Sequence, residues 1–144
     1  MSQGELRRQR KLRCFASRDE DGHGAVLIFD GDCGFCTTAA GWATRGFRRG
    51  ERAVAGQVLE GAFLDQHRLS LEDLGRYVWW VDESGVRESG HRAIGRALRA
   101  AGGLRMILGY LSTIPPTSWL AAIVYRLVAR WRYRLPGGTP ACKR

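Results

Sequence analysis

The most constraining feature of the sequence is a short apolar run that leads directly into two closely spaced cysteines. Residues 25–29 (AVLIF) are uninterrupted apolar residues, which is typical of a strand buried on both faces of a sheet. Residues 30–36 (DGDCGFC) then place Cys33 and Cys36 three positions apart. Apolar residues recur at helical spacing up to the break at 48–50 (RRG), so the cysteine pair is predicted at a strand-to-helix junction.

Two cysteines at this position and spacing favour dithiol chemistry. Cysteines three residues apart face the same side of a first helical turn and are close enough to form a small disulfide loop. The positive end of the helix dipole favours a thiolate at the first cysteine, which can then attack a substrate disulfide. The second cysteine resolves the mixed disulfide. We therefore predict Cys33 as the nucleophile and Cys36 as the resolving cysteine.

The two aspartates before the pair have two interpretations. Nearby carboxylates oppose thiolate formation by like-charge repulsion, so a partly buried Asp30 is a candidate proton relay for Cys36. Alternatively, Asp30 and Asp32 cap the helix and order the turn. Both roles stay open for Asp30, whereas capping is favoured for Asp32.

The remaining patterns predict a mixed sheet flanked by helices. Apolar, aromatic and β-branched runs indicate strands, and a Ser70–Asp73 capping box and apolar residues at helical spacing indicate helices. The predicted elements are a weaker strand within 53–63, a helix over 70–75, a strand over 77–81 with a hairpin partner at 86–89, a helix that ends at 102–103, and extra C-terminal helices. The first two strands are expected to pair in parallel through a crossover helix, and the later hairpin is antiparallel.

Residues 106–125 are free of charge over a length close to that of a membrane span. Pro115 and Pro116 interrupt them, so we expect two short helices joined at the prolines instead. In the last helix, Arg126, Arg130 and Arg134 are predicted to form a solvated face over an apolar one. Peripheral membrane contact through this basic helix is a further expectation.

The net charge of +9 belongs mainly to the chain ends. Residues 24–125 carry eleven arginines and ten acidic residues, whereas residues 126–144 carry six basic residues and no acidic one. A domain that wraps nucleic acid is therefore not expected. A close cysteine pair without a secretory signal favours a reducing cytoplasm. Cys14 is assigned no role, and Cys142 is either a tail residue without a role or a further redox partner.

The sequence resembles the DCC family of predicted thiol-disulfide oxidoreductases. The resemblance lies in residues 26–36 (VLIFDGDCGFC), 88–94 (ESGHRAI) and the arginine-rich segment 125–135 (YRLVARWRYRL). It implies a thioredoxin-like α/β fold, and we expect this domain to cover 24–135. The polar composition of residues 1–23 predicts a mobile tail, and residues 136–144 are expected to form a C-terminal tail. The resemblance also implies protein-disulfide reductase chemistry at Cys33 and Cys36. No metal or organic cofactor is implied, and the partners would be a disulfide-bearing protein or small thiol and an unidentified electron donor.

One departure from ordinary thioredoxins concerns the substrate groove. Thioredoxins place a cis-proline just before the strand that faces the active site, whereas here that strand follows residues 74–76 (LGR) without a proline. We therefore expect the groove to be built differently.

Three alternatives compete with the dithiol interpretation. Residues 30–32 (DGD) also resemble the first motif of haloacid dehalogenase-like phosphatases, with Asp30 as nucleophile, Asp32 as acid/base and Mg²⁺ as cofactor. That chemistry needs a lysine, and the only lysines are in the tails. A zinc site needs four ligands, and the single cysteine pair supplies two. The others would have to come from isolated residues such as Cys14, Cys142, His23, His67 and His91. A non-catalytic basic interaction module is the third alternative.

Overall fold

The computed structural model describes residues 2–3, 24–59 and 61–135. Most of the predicted N-terminal tail, the predicted C-terminal tail, Cys14, Cys142 and His23 lie outside these ranges. The elements are β1 (Val26–Phe29), α1 (Gly34–Thr44), β2 (Arg52–Ala55), a 3₁₀ turn (Gly56–Val58), α2 (Gly61–Gln66), α3 (Leu71–Arg76), β3 (Trp79–Val81), β4 (Arg87–Ser89), α4 (His91–Ala101), α5 (Gly103–Leu111) and α6 (Thr117–Trp131).

The strands form one mixed sheet in the order β2–β1–β3–β4. Strand β1 pairs in parallel with β2 and antiparallel with β3, and β3 pairs antiparallel with β4. The predicted mixed sheet flanked by helices is confirmed. Because β1 lies between two neighbours, all four of its residues are buried, as its continuous apolar run indicates.

Alternation along β1 divides the core between the two faces of the sheet. Leu27 and Phe29 pack with residues of α1 and α4, whereas Val26 and Ile28 pack with Leu64 of α2 and with α3. Successive side chains of a strand point to opposite faces, so one short strand anchors both helical layers. The junction that carries the cysteines is therefore fixed from both sides.

The segment between α1 and β3 is only partly as predicted. Helix α3 begins at a capping box in which Ser70 and Asp73 bond each other's backbone N–H, as predicted. The second strand covers only residues 52–55, whereas residues 56–58 form the 3₁₀ turn and residues 61–63 begin α2. Helix α2 was not predicted, because its six residues are too few to show a clear period.

The C-terminal helices confirm the predicted break at the prolines. Helix α5 ends at Leu111 and α6 begins at Thr117. Helix α5 lies very close to α4. The distance is so short at Gly109 that an added Cβ would come within 2.7 Å of the carbonyl oxygen of Gly95. Within the described ranges, no helix has the length and apolar character needed to cross a membrane.

Helix α6 turns its apolar face to solvent, and the prediction of an apolar face packed beneath solvated arginines is wrong. The helix has no buried residue, and its inner side is formed by residues such as Tyr125, Val128 and Ala129. The large apolar residues of α6 that are exposed are Trp119, Leu120, Ile123, Val124, Leu127 and Trp131. Periodicity correctly grouped these residues on one face, but it does not say what that face contacts.

Candidate active site

The site is built where β1 passes into α1. Cys33 is the N-cap residue of α1, with extended backbone angles, and its Sγ accepts a hydrogen bond from the backbone N–H of Cys36 at 3.2 Å. Both cysteines are free thiols. Cys33 is only 1% exposed, whereas Cys36 is partly exposed. The sequence places both side chains in the first helical turn, and the structure brings them into contact.

Asp30 lies buried beside the cysteine pair and organises the turn. Its Oδ1 accepts hydrogen bonds from the backbone N–H of Asp32 at 3.0 Å and from Nε2 of Gln57 at 2.8 Å. Its Oδ2 accepts a hydrogen bond from the hydroxyl of Tyr133 at 2.6 Å. Asp32 is exposed and accepts a longer bond, 3.3 Å, from Gln57. The prediction that these aspartates cap α1 is wrong, because the cap is Cys33; turn ordering by Asp30 is confirmed.

A short segment after α6, residues 132–135, reaches the first cysteine of the pair; we call it the C-terminal turn. The carbonyl oxygen of Arg132 lies 4.0 Å from Cys33 Sγ. The guanidinium of Arg132 donates to the carbonyl of Gly75 and lies 3.6 Å from Asp30 Oδ2. Among the described residues, Nε of Arg132 is buried without a hydrogen-bond partner. The site therefore contains a buried cation beside two thiols and a carboxylate.

Sequence reasoning missed three members of the site, namely Gln57, Arg132 and Tyr133. Arg132 and Tyr133 lie in the arginine-rich segment that carries part of the family resemblance, so that resemblance could have indicated them as candidate site residues. Gln57 lies in an irregular 3₁₀ turn with no pattern around it.

The electrostatics of the site distinguish the two cysteines. Burial, a hydrogen bond to the Cys33 side chain and the charge of Cys33 raise the pKa of Cys36 to about 12, although Arg132 acts to lower it. The hydrogen bond to Asp30, together with burial, raises the pKa of Tyr133 to about 12. Both groups therefore keep their protons at neutral pH.

An apolar cavity of about 180 Å³ lies beside Cys36, between α1, α4 and α6. Phe35, which separates the two cysteines, is part of its wall. The lining residues are Leu27, Phe29, Phe35, Cys36, Ala39, Ala40, Trp42, Ala43, Val78, Ile94, Ala97, Leu98, Tyr125, Val128, Ala129 and Arg132. A cavity of this kind offers an apolar surface in direct contact with one of the thiols.

The backbone just before β3 has its hydrogen-bonding groups paired within the chain. Val78 donates its N–H to the hydroxyl of Tyr125 at 3.1 Å, and its carbonyl accepts from the N–H of Gly90 at 2.9 Å. Both backbone groups of this residue are therefore already bonded within the chain. Helix α6 contributes one of these partners, and the expectation that the groove is built differently stays a prediction.

His67 and His91 are the histidines that lie within the described residues. His67 packs against the ring of Phe63 at 4.4 Å between ring centroids. His91 begins α4, and burial together with Arg92 and Arg126 lowers its pKa. Within residues 24–59 and 61–135, no three His, Cys, Asp or Glu side chains come together in a way that could hold a metal ion.

The sheet order, with a cysteine pair where the central strand enters a helix, is compatible with the thioredoxin-like class of α/β domains. The family model described as DCC1-like thiol-disulfide oxidoreductase matches residues 27–138, and the chain belongs to this family. The predicted resemblance is confirmed. A search of curated proteins and a search of solved structures found no match. The family supports a thiol-disulfide oxidoreductase role over the phosphatase alternative, and both carboxylate oxygens of Asp30 are already hydrogen-bonded.

Proposed function

We propose that the protein is a thiol-disulfide oxidoreductase of the protein-disulfide reductase type, with Cys33 as the nucleophile and Cys36 as the resolving cysteine. One observation carries the assignment of roles. The sulfur of Cys33 accepts a hydrogen bond from the backbone N–H of Cys36 at 3.2 Å, and burial together with the Cys33 side chain raises the pKa of Cys36 to about 12. Cys33 is the N-cap of α1, where the positive end of the helix dipole favours a nucleophilic sulfur, whereas the raised pKa of Cys36 suits the resolving role.

The reaction transfers two electrons in two exchanges. The Cys33 thiolate attacks one sulfur of a substrate disulfide, the substrate S–S bond breaks, and one substrate thiolate leaves. Cys36 then loses its proton and attacks Cys33 Sγ, which releases the second substrate thiolate and forms the Cys33–Cys36 disulfide. A thiol donor in a reducing cytoplasm returns the pair to the dithiol form, and the same steps in reverse oxidise a dithiol.

Arg132 is proposed to assist the second exchange. Its positive charge lies close enough to lower the pKa of Cys36, and its Nε has no hydrogen-bond partner among the described residues. A thiolate that forms on Cys36 would gain an ionic partner there. Proton removal by Asp30 stays a prediction.

The cavity beside Cys36 supports a preference among substrates. An engineered apolar cavity of about 150 Å³ accommodates a benzene molecule. The cavity here has a comparable volume of about 180 Å³. We propose that it receives an apolar group adjacent to the substrate disulfide.

An equilibrium redox titration against glutathione tests the proposal, with alkylation and mass mapping of all four cysteines. Cys33 and Cys36 are expected to change together as one two-electron pair, while Cys14 and Cys142 titrate separately. Cys33→Ser should abolish turnover, Cys36→Ser should trap mixed disulfides, and Cys14→Ser is the matched control. Wild-type disulfide exchange in both active-pair variants would show that the proposal is wrong.

A further inference from the structure

The outer face of α6 carries an apolar surface that the dithiol chemistry does not use. It consists of Trp119, Leu120, Ile123, Val124, Leu127 and Trp131, and we call it the α6 outer face. All six side chains are exposed, and Trp119 is 72% exposed. A helix of fifteen residues is about 22 Å long, so these side chains form an extended apolar surface, which differs from the single exposed apolar residues common on protein surfaces.

Positive charge flanks this face. Arg126 and Arg130 are exposed on the same helix, four residues apart, at one edge of the apolar stripe. Neither forms an ion pair with any described residue. The chain has no acidic residue after Glu88, whereas it has ten basic ones there.

We propose that the α6 outer face is a docking surface for an anionic lipid bilayer, on which the helix lies in the plane of the interface. An amphipathic helix with large apolar residues and arginines at its edge inserts its apolar side into the headgroup region, while the cations contact anionic headgroups. Tryptophan favours this interface because its ring is apolar and its N–H is polar. This inference goes beyond the proposed redox function and does not depend on it.

Charge favours a bilayer over two other occupants. A second copy of the chain would meet this face through the same patch, which places Arg126 and Arg130 of one copy close to those of the other. A nucleic acid would pair with the arginines, but it offers no apolar surface for the six exposed side chains. An anionic bilayer offers negative headgroups to the arginines and an apolar interior to the six exposed side chains.

Co-sedimentation of the full chain with vesicles tests the proposal. We expect binding to phosphatidylcholine vesicles that contain phosphatidylglycerol, weak binding to phosphatidylcholine alone, and release at high salt. Loss of each arginine should weaken binding about fivefold, so Arg126→Gln with Arg130→Gln should weaken it roughly thirtyfold. The matched control is Arg48→Gln with Arg49→Gln, which removes two exposed arginines from a loop outside α6 and should leave binding unchanged.

A second pair of variants tests the apolar contribution. Leu120→Gln with Leu127→Gln should weaken binding by at least tenfold per leucine, because each exposed side chain is apolar area that the bilayer would bury. Leu71→Gln with Val86→Gln changes two exposed apolar residues elsewhere and is the control. Turnover of a soluble disulfide should be unchanged in all four double variants, which shows that they fold.

Fluorescence gives an independent measure of where the helix lies. Trp119 emission should shift to the blue on anionic vesicles and be quenched by brominated acyl chains, and Trp119→Phe should reduce this quenching. Four outcomes would each overturn the proposal: no binding to anionic vesicles, equal binding to both vesicle types, self-association that replaces lipid binding, or binding to double-stranded DNA instead of vesicles.

Discussion

Replacing Tyr133 by phenylalanine tests whether the C-terminal turn controls access to the sulfur of Cys33. The change removes the hydroxyl that donates to Asp30 Oδ2 at 2.6 Å and leaves the ring in place. A hydrogen bond to a charged acceptor contributes about 1.5–3 kcal/mol. Because Tyr133 is 66% exposed, water replaces part of this bond, so the lower limit of about 1.5 kcal/mol applies. That free energy corresponds to roughly a tenfold larger population with the turn open.

The assay is the rate of Cys33 alkylation by iodoacetamide, mapped by mass spectrometry in the reduced protein. Cys33 is 1% exposed and the carbonyl of Arg132 lies against its sulfur, so we expect opening of the turn to admit the reagent and its rate to rise about tenfold in Tyr133→Phe. A series of pH values separates access from thiolate fraction, because only access changes the plateau rate. Tyr110→Phe is the control, since this exposed tyrosine lies on α5 against Arg99.

Two results would refute this reasoning. One is an unchanged Cys33 rate in Tyr133→Phe. The other is a wild-type rate equal to that of a small free thiol, which would mean that the C-terminal turn does not protect Cys33. A thermal unfolding curve for each variant shows whether a faster rate comes from local opening or from loss of the whole fold.

Three further predictions concern the dithiol and its surroundings. The pKa of Cys36 is raised from 9.0 to about 12, so between these pH values the folded chain keeps a proton that the unfolded chain releases. The free energy of unfolding should therefore be at its full value below pH 9 and fall as the pH rises towards 12. Urea titrations should show a shallower fall in Cys36→Ala, and equal slopes would contradict the assignment. Arg132→Gln should slow the second exchange and make mixed disulfides accumulate in quenched reactions, whereas Arg134→Gln should not; equal accumulation would remove Arg132 from the proposal. Ala129→Leu should fill part of the cavity and lower kcat/KM for aryl disulfides by roughly tenfold, on the scale of one buried leucine side chain, with little effect on hydroxyethyl disulfide; an equal loss for both substrates would contradict an apolar subsite.

Local patterns predicted the part of the site that lies in one stretch of sequence. The apolar run of β1, the two cysteines and the start of α1 follow one another directly, so each constrains the next. The Ser70–Asp73 capping box was also predictable, because both of its partners lie within four residues. These features depend on hydrogen bonds and periodicities that a short segment contains by itself.

The rest of the site depends on tertiary packing that no local pattern encodes. Asp30 meets Gln57 across 27 residues and Tyr133 across 103 residues. The same packing brings the carbonyl of Arg132 against the sulfur of the buried Cys33. Similarly, the apolar period of α6 shows which residues share a face, but not whether that face is buried. In the structure the opposite side of α6 lines the cavity, so the apolar face is exposed to solvent.

The contact between Cys33 and Arg132 also has a consequence for biosynthesis. The two residues are 99 positions apart, and a ribosome adds about 5–20 residues per second. Roughly 5–20 s therefore pass between the synthesis of the thiol and that of the carbonyl that lies against it. Throughout that interval the thiol of the nascent chain lacks this contact, so the completed site cannot yet shield it from oxidants.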